Sequence, residues 1–123
     1  MIECISAITL ATHNMPRAVR FYRALGFEIA YGGGEADFTS FRVGTGYLNL
    51  VAVSVEKKWC WWGRVIFYHA DVDALYETVG RAGYHTDTAP CDASWGERFF
   101  HITDPDGHEL SFAWPLERKS PEN

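Results

Sequence analysis

The feature that most constrains the fold of this chain is an internal repeat with a fixed offset of 57 residues. Two helix-like segments each end in an apolar residue, a glycine and an aromatic residue, at Leu25-Gly26-Phe27 and at Ala82-Gly83-Tyr84. Their apolar positions keep the same offset: Met15, Ala18, Val19 and Tyr22 in the first, and Val72, Leu75, Tyr76 and Val79 in the second. A constant offset over a whole helix indicates two copies of one supersecondary unit.

Strand-like runs surround each helix, and both copies predict the order βαβββ, with Asn14 and Asp71 as N-caps. The runs of the first copy are Ile5–Ala11, Phe27–Tyr31, Phe38–Val43 and Tyr47–Val53. Those of the second copy are Arg64–Ala70, a strand from about His85, Arg98–Thr103 and His108–Trp114. We therefore expect an α+β chain with a single domain over residues 1–123, made of module one (1–55), module two (62–116) and a mobile tail (117–123).

A turn motif links the last two predicted strands. Asp104-Pro105-Asp106-Gly107 combines a proline, which presets one backbone dihedral, with a glycine, which accepts a positive one. This pattern predicts a hairpin at the end of module two.

Composition excludes several classes of function. Sixteen acidic and eleven basic residues give a formal charge of -5, whereas a nucleic-acid-binding protein is expected to carry a basic surface. No apolar run reaches the roughly 20 residues that cross a bilayer. Three cysteines without a disulfide spacing and the lack of an apolar leader favour the cytoplasm. We expect no nucleic-acid or membrane partner.

The repeat, the Phe21-Tyr22 and Leu25-Gly26-Phe27 elements and the run DPDGHELSF from Asp104 to Phe112 together resemble the vicinal oxygen chelate superfamily. That group includes glyoxalase I, extradiol dioxygenases and bleomycin-resistance proteins. The resemblance covers residues 5 to 115. It implies that the two βαβββ modules form a curved mixed-sheet cup with the helices packed outside, and that the protein is a homodimer.

Metal-binding members of that family carry ligands on the first and last strand of each module. The resemblance places Ala7 and Arg64 at the first-strand positions, and Asn49 and Ser111 at the last-strand positions. Alanine and a guanidinium donate no electron pair to a cation, and amide or hydroxyl oxygens alone are poor ligands. We therefore expect no metal and no cofactor.

Strand alternation places Ile66 and Tyr68 on the face of Arg64, and Glu109 on the face of Ser111. An Arg64–Glu109 salt bridge is then expected. The aromatic residues of Trp59-Cys60-Trp61-Trp62 have two interpretations, as ligand-stacking rings or as packing between modules or subunits. Trp95 is placed on a loop near the cup. The predicted ligand-binding residues are Arg64, Asn49, Tyr47, Tyr68, Glu109, Ser111, Trp59, Trp61, Trp62 and Trp95.

The leading hypothesis is a metal-free small-molecule-binding protein with no catalytic residue. The alternative is a lyase, isomerase or dioxygenase-like enzyme that uses a displaced metal, or Glu109 and His101 as proton carriers. A third hypothesis is a protein-interaction module whose tryptophans bind a partner. A β-bulge would reverse the face of His101, so the sequence leaves that face open.

Overall fold

The repeat is present as two successive βαβββ modules, which fall in the units Met1–Cys60 and Trp61–Asn123. The computed structural model describes residues 1–117. The elements of the first unit are β1 (Ala7–Thr12), α1 (Met15–Ala24), β2 (Glu28–Tyr31), β3 (Phe38–Val43) and β4 (Gly46–Ala52). Its sheet has the order β1-β4-β3-β2, with β1 and β4 parallel and the other pairs antiparallel.

The second unit repeats this topology. Its elements are β5 (Arg64–Tyr68), α2 (Val72–Arg81), β6 (Cys91–Asp92), β7 (Glu97–Thr103) and β8 (Glu109–Pro115). The sheet order is β5-β8-β7-β6, and only the β5–β8 pair is parallel. The same order in both sheets confirms the predicted α+β class and the two βαβββ modules.

Both helices begin and end as the sequence indicates. The side chains of Asn14 and Asp71 accept hydrogen bonds from the backbone N–H groups of Arg17 and Ala74, each at 3.0 Å. These bonds satisfy donors that the first helical turn leaves free. Gly26 and Gly83 follow the helices with φ angles of 97° and 91°, which residues with a Cβ atom rarely adopt.

Each helix packs its apolar face on the sheet of its own module. Alternate strand residues point toward the helix and are buried, as the side-chain period of two requires. In β8 the residues Ser111 and Ala113, on the opposite face, are buried as well. The buried apolar side chains of the strands are Leu10, Phe41, Leu48 and Leu50 in module one, and Val65, Phe67, Phe100, Ile102, Leu110, Phe112 and Ala113 in module two. Ile66 and Tyr68 are exposed on the opposite face, as predicted.

The predicted hairpin is present between β7 and β8. Oδ1 of the buried Asp104 accepts the N–H groups of Asp106 and His108, both at 2.9 Å, and Gly107 has a φ of 88°. A single carboxylate oxygen therefore organises this turn.

The strand predicted from about His85 does not form. Residues 84–90 are irregular, and the edge of the sheet is only the two-residue β6. The hydroxyl of Thr88 accepts the His101 N–H at 2.9 Å, so a side chain takes the place of a backbone acceptor there. Pro90 has no N–H to continue a ladder. Of the predicted mobile tail, Glu117 lies in an exposed turn and 118–123 lie outside the described residues.

Among residues 1–117, neither helix has the length and hydrophobicity needed to cross a membrane.

The capping bond of α2 can be tested by substitution. We expect Asp71→Ala to lower the free energy of unfolding by about 1 kcal/mol, because Ala74 N–H loses its acceptor. Asp71→Asn should retain most of the stability, because its amide oxygen accepts the same bond. Urea denaturation of the two variants measures the difference, and equal destabilisation by Asn and Ala would contradict this role.

Candidate functional site

The Arg64 guanidinium is the centre of a polar cluster on the exposed face of the module-two sheet. Arg64 begins β5, and the parallel pairing places it beside Glu109 of β8. Its Nη1 donates to the Leu110 carbonyl at 2.8 Å and to Ser111 Oγ at 3.1 Å, and its Nη2 donates to Glu109 Oε1 at 2.9 Å. The predicted Arg64–Glu109 salt bridge is therefore confirmed, and Ser111 joins it.

The donor chemistry at the four positions that the resemblance assigns to metal ligands does not fit a divalent cation. Ala7 has no donor atom, and the oxygen of Ser111 already accepts a hydrogen bond from the positive charge of Arg64. A cation at this place would be repelled by that guanidinium. Residues 1–117 also contain no group of three or more His, Cys, Asp or Glu side chains that could share a metal ion.

His101 lies on the face of this cluster, a point that the sequence left open. It is paired with Ser111 across the β7–β8 ladder, and its Nδ1 lies 2.6 Å from Ser111 Oγ. The hydroxyl accepts from Arg64, which can only donate, and a serine oxygen can both donate one hydrogen bond and accept two. The contact between Nδ1 and Ser111 Oγ therefore suits either tautomer of the neutral imidazole.

The surroundings of His101 favour this neutral form. Burial of the ring and the Arg64 charge lower the pKa of His101, while the negative charges of Asp87 and Glu109 partly oppose that shift. His101 is thus held as an uncharged donor and acceptor at neutral pH. From the sequence, His101 was named only as a proton carrier in the alternative hypothesis and was not among the predicted ligand-binding residues.

Asn49 and Tyr47 lie on the module-one sheet with partners of their own. Asn49 Oδ1 accepts from Ser40 Oγ at 2.7 Å, and its Nδ2 donates to Thr9 Oγ1 at 3.2 Å. Tyr47 is exposed, and the guanidinium carbon of Arg42 lies 5.9 Å from its ring centre. Module one therefore presents a polar, uncharged group where module two presents an ion pair.

The three connector tryptophans have three different neighbours. Trp59 packs against His13, with ring centres 4.5 Å apart and the ring planes tilted by 35°. Trp62 donates its indole N–H to Nδ1 of the buried His108 at 2.7 Å. Trp61 donates to Glu109 Oε1 at 3.1 Å and is 73% exposed. Through Glu109, Trp61 is joined to the Arg64 cluster.

Tyr68 and Trp95 share one carboxylate, that of Glu97, which sequence reasoning did not select. The Tyr68 hydroxyl donates to Glu97 Oε2, and the Trp95 indole N–H donates to Oε1 at 2.9 Å. Trp95 also stacks on Phe99, with ring centres 5.5 Å apart. The signal in the sequence was the period of two, which puts Glu97, Phe99 and His101 on one face of β7.

The electrostatic origin of the His101 shift can be tested by NMR titration of the imidazole. We expect a pKa below 6.5, a rise in Arg64→Met, which removes a repelling charge, and a further fall in Asp87→Asn. The unfolded chain binds this proton more readily than the folded chain does. The contribution of neutral His101 to the free energy of unfolding is therefore fully present above about pH 6.5 and decreases as the pH falls. A pKa unchanged in both variants would contradict this assignment.

The chain was compared with known proteins at the level of sequence and structure. A profile of the Glyoxalase/Bleomycin resistance protein/Dioxygenase superfamily matches residues 5–112. No curated protein sequence matches the chain.

Three solved structures illustrate the likeness in fold. A glyoxalase/bleomycin resistance protein/dioxygenase from Nocardioides is 19% identical, with 98% of this chain and 89% of that chain covered and a TM-score of 0.74. A lactoylglutathione lyase from Agrobacterium tumefaciens is 18% identical, with 92% and 94% covered and a TM-score of 0.74. A bleomycin-binding protein complexed with bleomycin is 21% identical, with 91% and 98% covered and a TM-score of 0.70.

At these identities the three structures are informative about fold alone. The profile match extends over most of the chain and includes both modules. It confirms the resemblance drawn from the repeat and the DPDG hairpin. The chain belongs to the Glyoxalase/Bleomycin resistance protein/Dioxygenase superfamily.

Proposed function

We propose that this protein binds a small molecule without a metal ion, and that the ligand lies on the exposed face of the module-two sheet. The observation that carries the proposal is the Arg64 guanidinium, which donates to three oxygens at a position where the family resemblance implies a metal ligand. A fixed cation there suits a ligand held by hydrogen bonds and stacking rather than by metal coordination.

The composition of this face supports ligand binding. Large apolar side chains lie exposed around the Arg64 cluster: Trp61 is 73% exposed, Ile66 61%, Tyr68 54% and Trp95 68%. Small-molecule sites commonly combine such apolar surface with a few convergent polar groups. The bleomycin-binding protein described above is a relative in fold with a bound small molecule.

The polar groups leave specific positions for a ligand. Glu109 uses Oε1 for its bonds to Arg64 and Trp61, and no donor within residues 1–117 bonds its Oε2. The Nε2 atom of His101, which donates or accepts according to the tautomer, lies on the same face. A ligand with a hydroxyl group satisfies both chemistries, since a hydroxyl donates and accepts.

The finer parts of the proposal are a homodimer, which follows from the family resemblance, and a cytoplasmic location. The free, exposed thiols of Cys4, Cys60 and Cys91 support the cytoplasmic location, because thiols stay reduced there.

Binding to this face can be tested with 2-naphthol, a neutral aromatic hydroxyl compound, by following backbone amide shifts. We expect saturable shifts at Ile66, Phe99 and His101 that are the same with and without a metal chelator. Ile66→Lys should weaken binding about tenfold or more, because naphthol binding would desolvate an unpaired ammonium. The matched control is Val55→Lys, at an exposed apolar position in module one.

Loss of the shifts on chelation would contradict metal-free binding. Equal effects of the two lysine variants, or shifts confined to other residues, would contradict this placement of the ligand.

Proton transfer is a second candidate function, favoured by the contact between neutral His101 and Ser111. In such a reaction His101 or Glu109 removes a proton from carbon next to a carbonyl group and returns it. Deuterium exchange at the methyl group of acetophenone in heavy water measures this step.

We expect His101→Gln or Glu109→Gln to abolish any exchange above the buffer rate. The matched control is Glu28→Gln, at an exposed position of β2. Exchange no faster than in buffer for the unmodified protein would leave binding as the function.

A further inference from the structure

Module two also has a recess, whose side chains differ in charge from the Arg64 cluster. A shallow pocket of about 340 Å³ is lined by Tyr68, Trp95, Gly96, Glu97, Pro115 and Glu117. Two of these residues carry aromatic rings and two carry carboxylates, and none is basic. The lining therefore has a formal charge of -2 beside two exposed π-systems.

We propose that this pocket binds an organic ammonium group of the ligand, with the cation against Trp95 and Tyr68 and its charge balanced by Glu97 and Glu117. The inference rests on the proposed small-molecule binding and names the class of ligand. Aromatic faces attract cations through their negative π-density, and tryptophan does so most strongly. A carboxylate close to the rings adds a direct charge interaction.

Glu97, which would contact the ligand, already holds the rings of Trp95 and Tyr68 in position. Glu97 Oε1 holds the indole of Trp95, and Oε2 holds the hydroxyl of Tyr68. Each carboxylate oxygen retains a second acceptor site. Phe99 supports the indole from one side, so little side-chain freedom is lost when a ligand binds.

The neighbouring basic residue is engaged elsewhere. Arg98 follows Glu97 in β7, but its guanidinium pairs with Asp73 of α2 at 2.7 Å and with Asp92 of β6 at 2.9 Å. These bonds hold its charge on the helix side of the sheet. Arg98 therefore does not neutralise the carboxylates of the pocket.

The proposal is tested with choline and with 3,3-dimethylbutan-1-ol, which has the same shape but a carbon atom in place of the charged nitrogen. We expect choline to shift the indole N–H resonance of Trp95 and to bind about tenfold more tightly than the alcohol, with a preference that weakens as salt is added. Glu117→Gln should reduce choline binding and leave the alcohol unaffected, because it removes charge without moving a ring. Trp95→Leu should reduce choline binding at least about fivefold.

Matched controls are Glu28→Gln and Tyr31→Leu, which remove an acid and an exposed ring from β2 of module one. Equal affinity for choline and the alcohol, or the same loss in the control variants, would overturn the proposal. If 2-naphthol binds and choline does not, the ammonium site is wrong and the proposed function stands; if neither binds, both are wrong.

The sequence continues with Arg118 and Lys119 after Glu117. A variant that ends at Glu117 tests whether the pocket binds an external ligand or the side chains of Arg118 and Lys119. Choline binding in the full chain supports the proposal, whereas binding only in the shortened variant would assign the pocket to the chain's own tail and overturn it.

Discussion

The organisation of the module-two site depends on one guanidinium. Arg64 donates hydrogen bonds to the Glu109 carboxylate, the Leu110 carbonyl and the Ser111 hydroxyl, which belong to three successive residues of β8. A partly exposed ion pair of this kind adds little to stability by itself. Its effect is on orientation, because Ser111 in turn meets His101 and Glu109 holds Trp61. The positions of four side chains therefore follow from the first residue of one strand.

The two modules keep the same cross-strand geometry with different chemistry. Asn49 is paired with Ser40 in module one as Ser111 is paired with His101 in module two, and both pairs are joined through their side chains, at 2.7 and 2.6 Å. The third partner differs. Thr9 adds a neutral hydroxyl to the first pair, whereas Arg64 adds a charge to the second. The repeat thus preserved the backbone pairing. The ion pair of module two comes from two side chains, Arg64 and Glu109, which stand where module one pairs Ala7 with Tyr47.

Most of the fold followed from local signals. The two N-caps and the period of two predicted both helices, seven strands and the faces of Ile66 and Tyr68, because each of these signals acts within a few residues. The 57-residue offset added that the two sets of elements are copies of one unit. The face of His101 did not follow, since it depends on how many residues the turn contains. The ladder pairs Thr103 with Glu109 and leaves five residues between them; pairing with His108 would have turned His101 toward the helix. The Arg64–Glu109 pair was predicted. Glu97 was missed because one of its partners, Tyr68, is distant in sequence, and the other, Trp95, is reached through a turn.

The irregular segment that replaces the expected strand after α2 has a further consequence for the sheet it borders. Residues 84–90 meet β7 through the hydroxyl of Thr88 and the backbone N–H of Asp87, rather than through a continuous ladder. Both contacts are made to the backbone of one residue, His101, so the residues on either side of Asp87 and Thr88 are not held in register with β7 by a ladder. Length variation can therefore accumulate in this border while the pairing of β5, β8 and β7, and the side chains they carry, stay in place.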